Sequence, residues 1–416
     1  MNIFLVGNGY DLHHEFPTGY LNFLHVMEFL IGNYDVEYTT VGDILGNTLL
    51  HEKDSFIKNC YERHIDIYNQ TGLPSEEMKR IINCAKENSW FGYLSSSIKK
   101  DIKWIDFEKE IIRVLEMLKN FFNMENYIVQ DKNSLVFDTS ICLRGEEDWY
   151  ILSQFNFFFE KSNNLHMGFL SPMCIREEYI EERVKGSNIL VLSKEKIVSR
   201  LYQELRGLAK ILRDYLKYFV DGPAEEILKQ GRKPIFCGMP TPNRVYSFNY
   251  TNTIEILYGI SVVDHIHGNT NTNIVLGVNP DSKDEIDDVD TTFLQFKKYF
   301  QRVFYGTDID FLKYMKALEN FPHTYGGHVW VIGHSLDVTD EDVIKQIFDA
   351  ASEITVLYHK EERVKDYITH LVEIYGKQGL DFLRREKKLR FLPQGNILWE
   401  CSRNEEDCGA KNQDTF

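Results

Sequence analysis

The amino-acid sequence predicts an α/β protein that combines a doubly wound parallel sheet with a large, mainly helical insertion. Short apolar runs alternate with helical patterns at the N-terminus and again from about residue 231 to residue 376, as in parallel sheets flanked by helices. Residues 20–230 instead follow the 3.6-residue period of helices. We therefore predict a sheet domain from residues 1–19 plus 231–376, a mainly helical insertion from residues 20–230, and a C-terminal extension from residues 377–416.

Six short runs predict the strands of the sheet. Several of them are apolar at successive positions, as expected of a parallel strand that is covered on both faces. The insertion contains one similar run, Ile189–Leu192. The six runs are Asn2–Val6, Arg244–Phe248, Val262–Ile266, Asn273–Val278, His328–Ile332 and Glu353–Tyr358.

Helical patterns separate most of these strands. In the pattern at residues 341–350 the apolar residues form one stripe at helical spacing, and Asp340 is suited to cap its N-terminus. Residues 391–416 form a polar tail without a clear period. The four patterns are Thr253–Leu257, Thr292–Phe300, Glu341–Ala350 and Glu361–Tyr375.

Composition and charge exclude several classes of function. The 416 residues include 47 Lys and Arg and 63 Asp and Glu, so the formal net charge is 47 − 63 = −16, which disfavours nucleic acid as a partner. No apolar stretch approaches the roughly 18 residues that a membrane helix needs, and no basic region of a secretion signal opens the sequence. The seven cysteines are scattered without a C-x-x-C pair, unlike a structural zinc site or a disulfide framework. We expect a cytoplasmic protein without a membrane partner.

The first candidate motif, Gly7-Asn8-Gly9-Tyr10-Asp11, follows the first predicted strand directly. A glycine pair lets the backbone turn sharply and approach a ligand, and the N–H groups that open the next helix suit an anion. A plain strand-to-helix turn explains the same residues equally well. Pro17 follows and is suited to the start of the next helix.

Polar residues also follow the second and third predicted strands. Asn249 and Thr251 come after the second strand, where Asn249 is placed to hold a ribose hydroxyl or a water. His265-Ile266-His267-Gly268 ends the third strand and offers a general base. The structural alternatives are a capped turn at Asn249 and a backbone-bonded His265. A zinc pair is less favoured, because no further His or Cys lies at ligand spacing.

The fourth motif is Gly333-His334-Ser335, which follows the strand at residues 328–332. It lacks the second glycine of a nucleophile elbow, so Ser335 is better suited to contact a phosphate or ribose than to act as a nucleophile. All four motifs stand at carboxyl ends of predicted parallel strands. Such ends converge on one crevice, so the sequence predicts a single ligand site there.

Five blocks carry a resemblance to a known family: Gly7-Asn8-Gly9-Tyr10-Asp11, Trp104-Ile105-Asp106-Phe107-Glu108, Ser247-Phe248-Asn249-Tyr250-Thr251-Asn252-Thr253, His267-Gly268 and Gly333-His334-Ser335-Leu336. In composition and order they resemble the bacterial abortive-infection AbiH family of phage-defence proteins, from residue 2 to about residue 360. The resemblance implies a role in phage defence. In the second block we favour a structural role, with Asp106 capping a helix, over that of a lid carboxylate.

The order of the glycine turn, Asn249, His267-Gly268 and the last glycine motif is also similar, more distantly, to sirtuin-like NAD-binding domains. That resemblance implies a Rossmann-like, sirtuin-like sheet with NAD as substrate and no metal. It implies that Asn249 orients the attacking water or acceptor and that His267 acts as a base towards a ribose hydroxyl. Thr251 stands where those domains carry Asp, and the four-Cys module of protein deacylases is missing. The implied binding residues are Gly7, Asn8, Gly9, Asp11, Pro17, Thr251, Gly268, Gly333, His334 and Ser335.

Three hypotheses follow. The first is an NAD glycohydrolase that depletes NAD on infection, with the insertion at residues 20–230 as a lid or sensor. The second is a non-catalytic sensor of a nucleotide or ADP-ribose. The third is a metal-dependent hydrolase or nuclease built on His265 and His267, which the acidic charge disfavours. The partners expected are a nucleotide ligand and a phage-derived trigger or a partner defence protein, and a homo-oligomer stays open.

Overall fold

The computed structural model places most of the chain in two compact units. One unit comprises Met1–Arg80, Leu212–Val275 and Lys298–Phe416, and the other comprises Ile81–Ile211 and Leu276–Lys297. The predicted domain limits differ from these units and stay a prediction. The structure describes residues 1–35, 37–51, 54–98, 105–123, 128–131, 134–136, 151–160, 173–183, 190–230, 235–236, 239–279, 291–320, 327–394 and 398–399.

The first unit is built on a six-stranded, all-parallel sheet. Its spatial order is β3-β2-β1-β4-β5-β6, which is the order of the Rossmann fold, with the direction of winding reversing between β1 and β4. This confirms the predicted doubly wound α/β fold. The strands are β1 (Asn2–Val6), β2 (Arg244–Ser247), β3 (Val263–His265), β4 (Gly327–Ile332), β5 (Ala351–Tyr358) and β6 (Leu389–Pro393).

The central strand β1 is buried because its side chains enter two separate cores. Ile3 and Leu5 belong to one apolar cluster, and Phe4 and Val6 belong to another on the opposite face. This alternation follows from the two-residue period of a strand. Burial of each such side chain contributes roughly 1.5–3 kcal/mol, which anchors the N-terminal residues in the middle of the sheet.

Helices flank the sheet and connect its strands. Val343, Ile344, Ile347 and Phe348 are buried as one stripe, which confirms the predicted helix at residues 341–350. The last helix contains Gly376 with a φ of 66°, where the helical path is interrupted. The helices with residues in this unit are Gly9–His13, Tyr20–Asn33, Val41–His51, Ser55–Gln70, Ser75–Glu87, Lys194–Leu216, the π-helix Lys217–Asp221, Gly222–Lys229, Thr253–Tyr258, Lys298–Tyr305, Ile309–Asn320, the 3-10 turn Val338–Asp340, Glu341–Ala350 and Glu362–Arg385.

The second unit is mainly helical, as the sequence of the insertion predicted. Asp106 caps one helix by accepting hydrogen bonds from the backbone of Glu108 and Lys109, which confirms its structural role. Trp104 of the same block lies outside the described residues. This unit contains the later part of the helix Ser75–Glu87 and most of the helix Lys194–Leu216. Its other elements are the helices Ser89–Ile98, Phe107–Phe122, Glu177–Tyr179 and Thr291–Phe296 and the antiparallel strands Ile128–Asp131, Ser134–Val136, Phe158–Glu160, Met173–Ile175, Ile180–Arg183 and Leu190–Leu192.

Two predicted features are wrong. Residues 273–278 do not form a strand; they run as irregular backbone in which the Val275 N–H donates to the carbonyl of His267 at 2.8 Å. The start of the supposed polar tail is the edge strand β6, which pairs with β5 and was missed because only some of its side chains are covered. A short antiparallel pair, Ile235–Phe236 with Leu398–Trp399, follows. Within the described residues, no helix combines the length and the apolar character required to span a bilayer.

Candidate functional site

The register of the sheet places the four sequence motifs at one level of its carboxyl edge. Val6 pairs with both Ser247 and Ile332, and Ser247 pairs with His265. The strand ends are therefore aligned, and residues two positions beyond them follow the same edge. The edge includes the place where the winding reverses, which is where open α/β sheets bind ligands. The residues two positions beyond the four strand ends are Asn8, Asn249, His267 and His334.

The glycine turn after β1 packs against the turn after β4. The Gly9 N–H donates to the carbonyl of Gly333 at 2.8 Å, and a Cβ atom on Gly9 would lie 2.8 Å from the Gly333 Cα atom. A Cβ atom on Gly7 would lie 2.5 Å from the Cα atom of His334. The close backbone approach that requires these glycines is thus made by the protein itself.

Two polar side chains of these turns remain exposed. Asn8 makes no capping hydrogen bond to the helix that it precedes, and Ser335 is exposed beyond the second turn. The backbone around Ser335 is unusual, because Gly333 has a φ of 65° and the buried Leu336 has a φ of 55°. A non-glycine residue held at positive φ indicates that the surrounding contacts fix this turn.

Asp11 is fully buried and holds together the loop that follows β2. Its carboxylate accepts hydrogen bonds from the Asn249 Nδ2 atom at 3.1 Å and from the Thr251 Oγ1 atom at 2.7 Å, and it also accepts from the Thr253 hydroxyl. Burial raises the pKa of Asp11 to about 7, although the threonine hydrogen bonds lower it. Asp11 and Thr251 were predicted to contact a ligand, but the structure joins them to each other.

Asn249 is left with one polar atom that has no partner. Its backbone N–H donates to the Ser247 Oγ atom and its side-chain nitrogen donates to Asp11, whereas its Oδ1 atom accepts no hydrogen bond from any described residue. The residue is only 6% exposed. A buried acceptor without a donor costs roughly 1–3 kcal/mol, so this oxygen is a candidate ligand contact.

His265 is fully satisfied by hydrogen bonds within the protein. Its Nε2 atom lies 2.6 Å from the Glu255 Oε1 atom, and its Nδ1 atom lies 3.1 Å from the carbonyl oxygen of Asn249. Burial by itself would lower the pKa of His265, but the hydrogen bond and charge of Glu255 raise it above its ordinary value. With one acceptor at each nitrogen, the ring holds the loop that carries Asn249.

His267 differs from His265 because only one of its nitrogens has a partner. The Nε2 atom lies 2.8 Å from the Asp340 Oδ1 atom, and the Nδ1 atom is buried without a hydrogen bond to any part of the chain that the structure describes. Burial lowers the pKa of His267 to about 4, against the charge of Asp340 and with the help of Lys298 and Arg302. The ring is therefore neutral at pH 7. Its Nε2 atom donates to Asp340, which leaves the lone pair on Nδ1.

Gly268 shapes the same corner through its backbone. Its φ is 73°, and a Cβ atom there would lie 1.9 Å from the carbonyl oxygen of Asn273. Only glycine fits this close approach, so the residue after His267 has a structural reason to be glycine. Pro17, another predicted ligand contact, offers its carbonyl to the Tyr215 hydroxyl at 2.7 Å.

A cluster of charged side chains around His267 was not predicted from the sequence. Asp340 also accepts from the Lys298 Nζ atom at 3.1 Å and lies 3.6 Å from the His334 Nε2 atom. His334 in turn packs its ring against Phe248, with the ring centroids 4.3 Å apart. Lys298 and His267 hold the pKa of Asp340 well below its ordinary value in spite of its burial. The sequence does place Asp340 soon after the end of a predicted strand, where a ligand site is expected. An Asp at that position is equally typical of an ordinary helix cap.

A second buried carboxylate was also missed. Asp221 accepts from the Asn252 backbone N–H and side-chain amide, each at 2.9 Å, and from the Thr270 hydroxyl. Burial raises the pKa of Asp221 to about 6, against these hydrogen bonds. Asp11 and Asp221 therefore both hold the loop after β2 in place through hydrogen bonds.

The described residues contain no group of three or more His, Cys, Asp and Glu that could hold a metal ion. His265 and His267 have separate carboxylate partners, Glu255 and Asp340. Each ring therefore has its own carboxylate partner within the protein.

The sheet order and the buried polar groups at its carboxyl edge define a Rossmann-like α/β protein with a candidate site for a small ligand. The chain belongs to the bacteriophage abortive infection AbiH family, whose model matches residues 3–359. This confirms the predicted family, and it supports a role in antiphage abortive infection. No curated protein and no solved structure matches the chain. The more distant similarity to sirtuin-like domains stays a prediction.

Proposed function

We propose that this AbiH protein acts in abortive infection by cleaving the bond between nicotinamide and ribose in NAD. One observation carries the proposal: two buried acceptor atoms, Asn249 Oδ1 and His267 Nδ1, lack hydrogen-bond donors among the described residues. They belong to residues two positions beyond the aligned ends of β2 and β3. Buried polar atoms usually have partners, so two such atoms at one edge favour a ligand that supplies two donors. A ribose hydroxyl and a water are donors of this kind.

The reaction would need little more than placement and one base. The bond between ribose C1′ and the nicotinamide nitrogen breaks, and its electron pair neutralises the cationic ring. Water forms the new bond to C1′, and the proton that it loses passes to His267 Nδ1 and then to solvent. Asn249 Oδ1 accepts one water hydrogen bond and orients the attack. The products are ADP-ribose, nicotinamide and a proton, and a placed base typically contributes roughly 100- to 10,000-fold in rate.

The weak basicity of His267 favours a second function. A general base works best when its pKa is near the operating pH, and burial lowers the pKa of His267 to about 4. A weakly basic ring holds a hydroxyl donor without removing its proton. The same two acceptors therefore suit a sensor that binds a nucleotide or ADP-ribose without turnover.

Incubation of purified protein with NAD, followed by quantification of free nicotinamide, separates the two functions. We expect release by the wild type and at least a 100-fold loss in Asn249→Ala and in His267→Ala, with protection against phage lost in parallel. Asn271→Ala changes an exposed asparagine and serves as the matched control. Wild-type protein that binds ADP-ribose but never releases nicotinamide, with protection intact in His267→Ala, would support the sensor instead.

A further inference from the structure

Two histidines on the same strand end provide a comparison that separates a structural ring from a functional one. His265 has a partner for each nitrogen, as expected of a ring that only holds the fold. His267 is 3% exposed, yet its Nδ1 atom has no partner in the described part of the chain. The partner of its other nitrogen, Asp340, therefore decides which nitrogen carries the lone pair.

The carboxylate of Asp340 contacts His267 instead of capping the helix that follows it. Asp340 occupies the N-cap position of the helix Glu341–Ala350, where Asp commonly accepts a backbone hydrogen bond. Its side chain makes no such bond, although the sequence predicted one. The carboxylate is instead 2.8 Å from His267 and 3.1 Å from the buried Lys298. The helix thus lacks its cap bond while the carboxylate contacts the ring.

The charges around the ring also select its protonation state. Lys298 and Asp340 are both less than 9% exposed and form an ion pair whose charges cancel. A proton added to His267 would leave an uncompensated positive charge in a buried site, with Arg302 as a further nearby cation. Arg302 pairs with Asp308 and Asp342, and His334 faces the second oxygen of Asp340. A neutral His267 that donates to Asp340 is the state that these groups stabilise.

We propose that Asp340 is a positioning residue, which holds His267 in the tautomer that presents the Nδ1 lone pair to the ligand, and that Lys298 keeps this ring neutral. The inference rests on the proposed function in one respect, because the ligand is the water or ribose hydroxyl described above. The tautomer itself is a property of the free protein. Asp340 acts on the reaction only through His267.

The test measures the tautomer directly by ¹⁵N chemical shifts in protein labelled at histidine, with the His267 signals assigned by their loss in His267→Gln. In the wild type at pH 7 we expect a protonated Nε2 atom and an unprotonated Nδ1 atom. In Asp340→Asn the new amide can donate to Nε2, so the proton should move to Nδ1. Nicotinamide release should then fall roughly 100- to 10,000-fold in kcat, with KM little changed.

Two further variants keep the test decisive. Glu341→Gln removes a carboxylate from the adjacent residue, which pairs with Lys345 rather than His267, and should leave the tautomer and the turnover unchanged. Asp340→Asn with Lys298→Met removes both charges of the buried ion pair and supplies the same measurement if the single variant does not fold. A proton that stays on Nε2 in the folded Asp340 variants would overturn the proposal. A moved proton in a wild type that releases no nicotinamide would support the role of Asp340 and contradict the proposed enzyme.

Discussion

At the scale of single residues, the site is defined by which polar atoms are satisfied and which are not. Asp11 accepts three side-chain hydrogen bonds, and each nitrogen of His265 has an acceptor. These two groups therefore have all the partners that a structural role requires. Asn249 and His267 each retain one unpartnered atom among the described residues. An ion pair or hydrogen bond can be structural or functional, whereas a buried polar atom without a partner costs stability and needs another explanation.

The two histidines should affect the pH dependence of stability in opposite directions. The folded protein lowers the pKa of His267 from 6.5 to about 4, so the stability that this ring contributes is present above pH 6.5 and is lost as the pH falls towards 4. The full effect is on the order of 3 kcal/mol. The folded protein raises the pKa of His265, so its contribution is present at low pH and is lost as the pH rises.

Urea denaturation of the wild type, His267→Gln and His265→Gln at pH 7.5 and pH 5 checks this prediction. Asp11 and Asp221 also affect stability, because their raised pKa values make it fall as the pH rises from about 4 to about 7. Both carboxylates are present in the wild type and in each variant, so their contributions cancel when a variant is compared with the wild type at the same pH. The free-energy difference between wild type and His267→Gln should shrink at pH 5, and that for His265→Gln should grow. A difference for His267→Gln that is equal at both pH values would show that the folded ring is not held neutral.

At the scale of elements, the turns after β1 and β4 act as one packed pair. The Gly333 carbonyl accepts a hydrogen bond from the Gly9 N–H, and a Cβ atom on Gly333 would lie 2.2 Å from the Tyr10 nitrogen. The sequence left two interpretations of the first glycine pair open, a close approach to a ligand and a plain strand-to-helix turn. The structure gives that close approach to a neighbouring turn, because the two strands are adjacent in space although they are far apart in sequence.

Gly9→Ala should therefore destabilise the protein, by roughly 1–3 kcal/mol, because its Cβ atom would meet backbone that cannot rotate away. Gly32→Ala is the matched control: Gly32 lies in the helix Tyr20–Asn33 with nothing within 4 Å of an added Cβ, and the change should be neutral or stabilise by up to about 1 kcal/mol. The free energy of unfolding in urea measures both. Equal stability of the two variants would contradict the packing of the turns.

At the scale of the whole molecule, the sequence predicted the sheet well because its strands are buried on both faces and appear as local apolar runs. The run at residues 273–278 is equally apolar, but its backbone bonds to the turn after β3 instead of a sheet neighbour. Asn249 and His267 were predicted from their positions after strands. The contact between Asp340 and His267 was not predicted. A contact between residues so distant in sequence depends on the order of the strands in the sheet, and no local sequence pattern contains that order.

The central position of β1 also has a consequence for the synthesis of the protein. Leu5 pairs with Tyr246 on one side and with Val331 on the other, so β1 leaves the ribosome well before the strands that pair with it. At about 5–20 residues per second, that delay is roughly 15–65 s. The polar site needs Asp11, Asn249, His267 and Asp340 together, so a nascent chain interrupted before Asp340 carries no complete site.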